Sequence, residues 1–216
     1  MSHRSLVLQT NALIEQWRKK GRRIVVAIDG YSGVGKTTLL HQLAAINPNV
    51  VPVYVDDFIL PIQTRRIHLR RLKGDPRVVE LHWNNMPKLR RLLQRFRTSP
   101  GMYQTQTYDA ASGHYTRAAR FDLRKPVLVI EGVFMFHPKL LDAEWDRRIY
   151  VDLPLQVADR RRISRDRLRW KKSYVADKRL DSFARLFKVA HQRYRKAFQP
   201  IRRADVVLHA NNRDAA

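Results

Sequence analysis

Eight consecutive residues, Gly30-Tyr31-Ser32-Gly33-Val34-Gly35-Lys36-Thr37, carry the pattern G-x-x-x-x-G-K-[ST]. The pattern gains meaning between a strand and a helix, and both neighbours fit. Residues 23–28 before it form a short apolar, β-branched run that predicts a buried strand. Residues 38–45 after it place Leu39, Leu40, Leu43 and Ala44 at helical spacing. In such a loop the glycines let backbone N–H groups turn toward a phosphate chain, and the helix N-terminus adds partial positive charge. Lys36 reaches β- and γ-phosphates, and the Thr37 hydroxyl ligates Mg²⁺. The expected contacts to ATP are therefore Gly30, Ser32, Gly33, Val34, Gly35, Lys36, Thr37 and Thr38, with Thr37 also a metal ligand.

The 216 residues fit one α/β domain, residues 1–216, with a full core. No apolar run approaches eighteen residues, which predicts no membrane span. The first residues lack the apolar core and cleavage site of a secretion signal. Cysteine is absent, so neither a disulfide scaffold nor a cysteine metal site is available. The expectation is a soluble, cytoplasmic protein.

Further strands are predicted at 50–55, 126–131, 148–153 and 204–208. Helices are predicted at 5–20, within an N-terminal segment 1–22, and at 86–96, 155–170 and 181–198. Residues 62–82 are basic and ambiguous. Residues 102–122 read as irregular and turn-rich, punctuated by Ser112-Gly113. A tail from Asn211 reads as frayed. Strands alternating with helices imply a doubly wound, mainly parallel five-stranded sheet with helices on both faces, and a ligand at the strand C-termini.

Two of those strands end in acids: Asp56-Asp57 and Glu131. Phosphoryl transfer to a hydroxyl needs one carboxylate to orient and deprotonate the acceptor and another to help hold Mg²⁺. Position gives the first role to Asp56, with Asp57 as its substitute, and the second to Glu131. Beyond the strand at 148–153 runs Arg160-Arg161-Arg162-Ile163-Ser164-Arg165-Asp166. At helical spacing Arg161 and Arg165 share a face, as do Arg162 and Arg165. A basic helix that closes over the triphosphate as a lid, over 155–172, excludes water and stabilises charge spreading over the transferred group. Arg162 and Arg165 are the candidate catalytic arginines beside Lys36 and Asp56, and Arg161 is a further ATP contact.

Taken together and in order over about residues 23–212, these segments resemble the uridine kinase-like branch of the P-loop small-molecule kinases. That branch includes nicotinamide riboside kinase and phosphoribulokinase. Asp56-Asp57-Phe58 is similar to the family's D-x-F, which supplies the base. Residues 130–136 are similar to its Walker B strand, 150–166 to its strand and lid, and 204–208 to its closing strand. Tyr108-Asp109 followed by His114 and Arg117 is similar to the uridine kinase segment that binds the nucleoside, with wider spacing and Gly113 inside it. The resemblance thus implies Tyr108, Asp109, His114 and Arg117 as acceptor contacts. On the residues' own chemistry, Asp109 or Asp57 accepts from a ribose diol and Tyr108 stacks on a base. The segment at Glu131 and Trp145 is closer to nicotinamide riboside kinase.

Uridine or cytidine leads as acceptor. Nicotinamide riboside, pantothenate and a sugar phosphate remain alternatives within the class, and a nucleic-acid-associated NTPase is an alternative outside it. The formal charge of +24 bears on that last possibility. Residues 62–97 hold eleven Lys/Arg against Asp75 and Glu80, and residues 160–203 hold seventeen against Asp166, Asp177 and Asp181. Aromatics do not interleave with these arginines as a single-strand platform requires. The charge is expected to steer anions into a cleft flanked by both blocks, with no specific nucleic acid, no membrane and a homo-oligomer as the open question.

Overall fold

A computed structural model describes residues 3–18, 22–176 and 182–210. The tail from Asn211 and the expected helix start at Asp181 lie outside them.

The five expected strands are present as β1 (Ile24–Asp29), β2 (Val50–Tyr54), β5 (Val127–Glu131), β6 (Arg147–Asp152) and β7 (Val206–His209). They form one sheet in the order β2-β5-β1-β6-β7, and every pairing is parallel. The central strands β1 and β5 are buried at every residue. That is why they read as unbroken apolar runs: helices cover both faces of a parallel sheet.

Alternate residues of β1 sort to the two sides. Val26 and Ile28 pack with Leu6 and Ile14 of α1 (His3–Arg18) and Leu39, Leu40 and Leu43 of α2 (Lys36–Ile46). Val25 and Ala27 pack with Leu89, Leu92, Leu93 and Phe96 of α5 (Met86–Thr98). These four side chains of α5 are fully buried, so truncating Leu92 to alanine costs about 2–5 kcal/mol. The α5 helix starts sharply because the Asn85 side chain accepts from the Lys88 N–H and Pro87 sits in the first turn.

The basic stretch 62–82 resolves into α3 (Ile62–Arg71) and α4 (Arg77–Leu81). No residue of α3 is buried, so its sequence carries no apolar stripe to read. Residues 102–122 are not irregular. They form an antiparallel hairpin of β3 (Met102–Asp109) and β4 (His114–Asp122), with a register shift at Thr107/Tyr108. The ribbon alternates in burial, but its two faces are not cleanly sorted: the exposed residues include Met102 and Ala118 beside Gln104, Gln106 and Arg120, and the inner ones include Thr105 and Thr107 beside Tyr103, Ala119 and Phe121. A period of two is therefore hard to read from hydropathy.

The remaining helices are α6 (Leu155–Trp170), α7 (Phe183–Phe198) and α8 (Pro200–Arg203). No described helix is long and apolar enough to cross a membrane.

Candidate active site

Register brings the acids together. Ile28 stands beside Glu131, and Tyr54 pairs with Glu131 from the other side. The C-terminal ends of β1, β5 and β2 therefore deliver Asp29, Glu131 and Asp56-Asp57 to one edge of the sheet.

Asp29 is fully buried beneath the phosphate loop. Its Oδ1 accepts from the Gly30 N–H at 2.7 Å and its Oδ2 from the Tyr194 hydroxyl at 2.5 Å. Burial pushes its carboxyl up to about 6, against the pull of these two donors and of Lys36. Gly30 and Gly33 have φ of +150° and +89°. A Cβ on Gly30 would lie 2.5 Å from the Val151 carbonyl oxygen, and one on Gly33 would lie 2.4 Å from that of Ala158. These two glycines thus serve the seating of the loop on β6 and α6 as well as its curvature. Val34 is buried against the α2 side of the core, Gly35 caps α2 with φ of 100°, and Thr38 is exposed in its first turn.

Lys36 is buried, and its ammonium donates to the Gly30 and Tyr31 carbonyls at 2.8 and 3.0 Å. Burial lowers its pKa, while Glu131, Asp29 and Asp56 oppose the shift. The Thr37 hydroxyl donates to Glu131 Oε1 at 2.9 Å. Burial pushes the Glu131 carboxyl up, with Lys36 opposing. Among the described residues no group of three or more His, Cys, Asp or Glu is placed to hold a metal ion by itself. The oxygens of Thr37 and Glu131 suit Mg²⁺ nonetheless, because that ion keeps waters and phosphate oxygens and needs only one or two protein ligands.

Asp56 and Asp57 part company at the turn after β2. Asp56 is exposed and lines the main cavity with Ser32, Trp83, Phe134, Arg162 and Arg165. Asp57 instead pairs with Arg117 of the hairpin and lines a separate groove with Tyr54 and Arg120. Burial raises its pKa, with Arg117 opposing. The expected acceptor contacts Asp57 and Arg117 thus meet each other, away from the cavity that holds Asp56.

The other expected acceptor contacts also lie on the hairpin. Asp109 accepts from the Ala111 and Ser112 N–H groups and the Thr116 hydroxyl. It ties the hairpin turn, and those bonds lower its pKa. His114 is exposed at the start of β4. The Tyr108 hydroxyl accepts from Arg65 at 2.5 Å. None of Tyr108, Asp109, His114 and Arg117 lines the main cavity.

An aromatic wall stands where those contacts were expected. Trp83 and Phe183 stack at 4.4 Å and 17°, beside Phe134 and Phe187. Trp83 is fixed opposite Asp56 because the segments 58–60 and 83–85 pair: the Leu60 N–H donates to the Trp83 carbonyl, and the Asn85 N–H to that of Phe58. Arg65 lies 4.7 Å from the Trp83 ring. Trp83 sits just past a basic stretch without periodicity, and its partners come from two distant segments; the i, i+4 spacing of Phe183 and Phe187 marks a helix face but not the residue it meets.

The arginines of α6 divide. Arg162, Arg165 and Arg169 line the cavity; at i, i+3 and i+7 they share one helix face. Arg165 reaches the loop, its Nη2 donating to Ser32 Oγ at 3.3 Å and to Asp166 at 2.9 Å. Arg162 is buried between Asp159 at 3.3 Å and Asp166 at 3.6 Å. Arg161 falls on the neighbouring face and is not among the residues lining the cavity. Arg169 was missed, although the seven-residue step from Arg162 announces it. The block 62–97 contributes Val79, Trp83 and Asn84 to the cavity lining, and its nearest named cation is Arg65 over the Trp83 ring, so the second basic block supplies the arginines that line the cavity.

Known proteins resemble this chain in sequence and fold. Nicotinamide riboside kinase 1 of Mus musculus is 29% identical over 145 residues, 67% of this chain and 67% of that protein. The Homo sapiens protein of the same name is 27% identical over 147 residues, 67% and 66% of the two chains. A solved structure described as a possible uridine kinase from Bacillus stearothermophilus superposes with a TM-score of 0.68 at 22% identity, covering 95% of this chain and 98% of that one. Phosphoribulokinase from Rhodobacter spheroides superposes with a TM-score of 0.60 at 16% identity, covering 90% and 75%. At such identities the superpositions speak for the P-loop kinase fold. The model of the Phosphoribulokinase / Uridine kinase family matches residues 25–209, a stretch that holds the phosphate loop, both strand-end acids and the α6 arginines. The chain therefore belongs to the phosphoribulokinase/uridine kinase family and is a P-loop small-molecule kinase, a phosphotransferase with a hydroxyl acceptor.

Proposed function

We propose that the protein transfers the γ-phosphoryl group of ATP to the 5′-hydroxyl of a ribonucleoside with a neutral base, uridine or cytidine first. The observation that carries this reading is the convergence of Asp56, Ser32, Arg162 and Arg165 on one cavity with an aromatic wall. A base stacks on the ring system of Trp83 and Phe183, and the ribose then points its 5′-hydroxyl toward Asp56. Asp56 takes the hydroxyl proton as the acceptor oxygen bonds to the γ-phosphorus and the bridging bond to ADP breaks. Lys36 binds the β- and γ-phosphates, and Arg162 and Arg165 stabilise charge on the transferred group. Thr37 and Glu131 would hold Mg²⁺, which supplies charge neutralisation between the β- and γ-phosphates when bound.

A second reading, nicotinamide riboside as acceptor, draws on the names of the curated relatives. The pyridinium of that riboside is cationic, and Arg65 already lies over the Trp83 ring at 4.7 Å, which favours a neutral base at the wall. The cavity arginines do not decide between the two, because Arg162 and Arg165 are paired with Asp159 and Asp166. ATP use fits action in the cytoplasm, and the surface charge fits anion steering better than a specific nucleic-acid partner.

A coupled ADP-release screen over uridine, cytidine, nicotinamide riboside, pantothenate and sugar phosphates tests the proposal. The highest kcat/KM is expected for uridine or cytidine. A higher value for nicotinamide riboside would replace the neutral-base assignment. Tight RNA binding at physiological salt without turnover of any acceptor would overturn the whole reading.

A further inference from the structure

We propose that Asp159 is a positioning residue that couples the phosphate loop to the lid arginine, holding Tyr31, Arg162 and Lys188 on a single carboxylate. This rests on the reading of Arg162 as a transition-state arginine.

The contacts come from three elements. Asp159 Oδ1 accepts from the Tyr31 hydroxyl at 2.9 Å and from Arg162 Nη2 at 3.3 Å. Its Oδ2 accepts from Lys188 Nζ at 2.6 Å. Tyr31 is the second residue of the phosphate loop, Arg162 belongs to α6 and Lys188 to α7. Asp159 is only 9% exposed and Arg162 only 3%, so solvent does little to loosen these bonds.

The Tyr31 ring has little freedom. It packs on His191 at 4.4 Å and on Phe187 at 6.1 Å, both from α7, and is itself buried. Its hydroxyl therefore presents a fixed donor to Asp159. Next to this bond the loop meets α6 through backbone, since Gly33 stands against the Ala158 carbonyl. Movement of the loop is thereby passed to the residue that holds Arg162. On its other side Arg162 meets Asp166, which bonds to Arg165 within α6 and has no part in the contact to Tyr31. Of the two flanking acids, Asp159 ties the arginine to the loop through the buried Tyr31 hydroxyl, whereas Asp166 reaches the loop only through the exposed Arg165 and its 3.3 Å bond to Ser32.

Asparagine at position 159 keeps one acceptor oxygen and puts an amide N–H₂ where the other stood. It can serve Tyr31 and Arg162 or Lys188, not all three. An arginine that acts on the transition state then loses its aim, which lowers kcat more than it weakens substrate binding.

A double-mutant cycle on kcat, with melting temperatures beside it, tests this. Asp159→Asn is expected to lower kcat about 10-fold in the wild-type background and less than 2-fold in the Arg162→Ala background. Asp159→Glu should recover part of the loss. Equal losses in both backgrounds would mean a merely structural role and would overturn the proposal, as would a wild-type kcat for folded Asp159→Asn. If Asp159→Asn does not fold, the same cycle with Tyr31→Phe decides: a loss of about 3-fold that vanishes in Arg162→Ala supports coupling, and one that persists overturns it. A wild-type kcat for Arg162→Ala alone would instead sink the transition-state role of Arg162, and this coupling with it.

Discussion

Replacing His191 with phenylalanine should flatten the acid side of the stability profile. His191 is fully buried on α7 between the rings of Tyr31, Phe134 and Tyr194, and neither ring nitrogen meets a hydrogen-bond partner among the described residues. Burial pulls its pKa down to about 3, helped by repulsion from Lys36 and Arg195 and opposed by Asp159. The unfolded chain takes up the proton near the ordinary imidazole value of 6.5, so acid favours the unfolded state between those two values. The contribution is whole above about pH 6.5 and falls as pH drops toward 3. Over the full window the difference is about 5 kcal/mol, and between pH 7 and pH 5 about 2 kcal/mol. Asp29 acts in the opposite sense: its raised pKa makes stability fall as pH rises through about 4 to 6. That contribution is present in both proteins and cancels in the comparison. The cost of fitting a phenyl ring is likewise common to both pH values, so the change between them is the quantity to measure. Urea unfolding at pH 7 and pH 5 should show the wild type losing about 2 kcal/mol more than His191→Phe. Equal losses would refute the assignment of His191 as a buried neutral base.

Three further outcomes are expected. Asp56→Asn should lower turnover by about 10²–10⁴ with ATP affinity little changed, whereas Asp57→Asn, which breaks a pair with Arg117, should cost far less; steady-state kinetics of both variants would show the reverse order if Asp57 were the base. Arg165→Ala should lower kcat by at least about 10-fold and Arg95→Ala, on the exposed face of α5, should leave it unchanged; matching kinetics for the two would remove Arg165 from the chemistry. The rate of ATP association measured by stopped flow should fall steeply with added salt, because the Debye length shrinks from about 10 Å at 0.1 M to about 3 Å at 1 M, and a salt-insensitive rate would contradict steering by the arginines of α6.

The donor half of the site was legible because its parts are local. Loop, strand and helix are contiguous, and Asp56 and Glu131 follow from the rule that parallel strands end at the ligand. The acceptor half was not legible. The wall proposed for it is made by Trp83, Phe134, Phe183 and Phe187, from three separate stretches of chain; Phe183 and Phe187 belong to a periodic helix, but periodicity does not tell that their partner is Trp83. The resemblance around Tyr108 pointed instead to a hairpin whose acid closes its own turn. Spacing warned of this, since Gly113 inside that segment takes φ of +74°, as a turn residue does.

The glycines carry the argument one step further. Gly30 and Gly33 appear in the motif as residues that admit phosphate, yet each also abuts a carbonyl of the chain that leads into or forms the lid helix. The phosphate loop and α6 are thus in backbone contact at Gly33, joined by side chains at Asp159, and joined again where Arg165 meets Ser32. A lid hinged far from the loop would close on the donor as an independent body. Here Val157, Ala158, Asp159 and Arg162 of α6 are buried against the loop's own seat, whereas Arg167 to Trp170 all stand exposed. If α6 closes over ATP as the lid reading requires, the movement is expected in its distal half, Arg165 to Trp170, while the buried Arg162 stays with the loop.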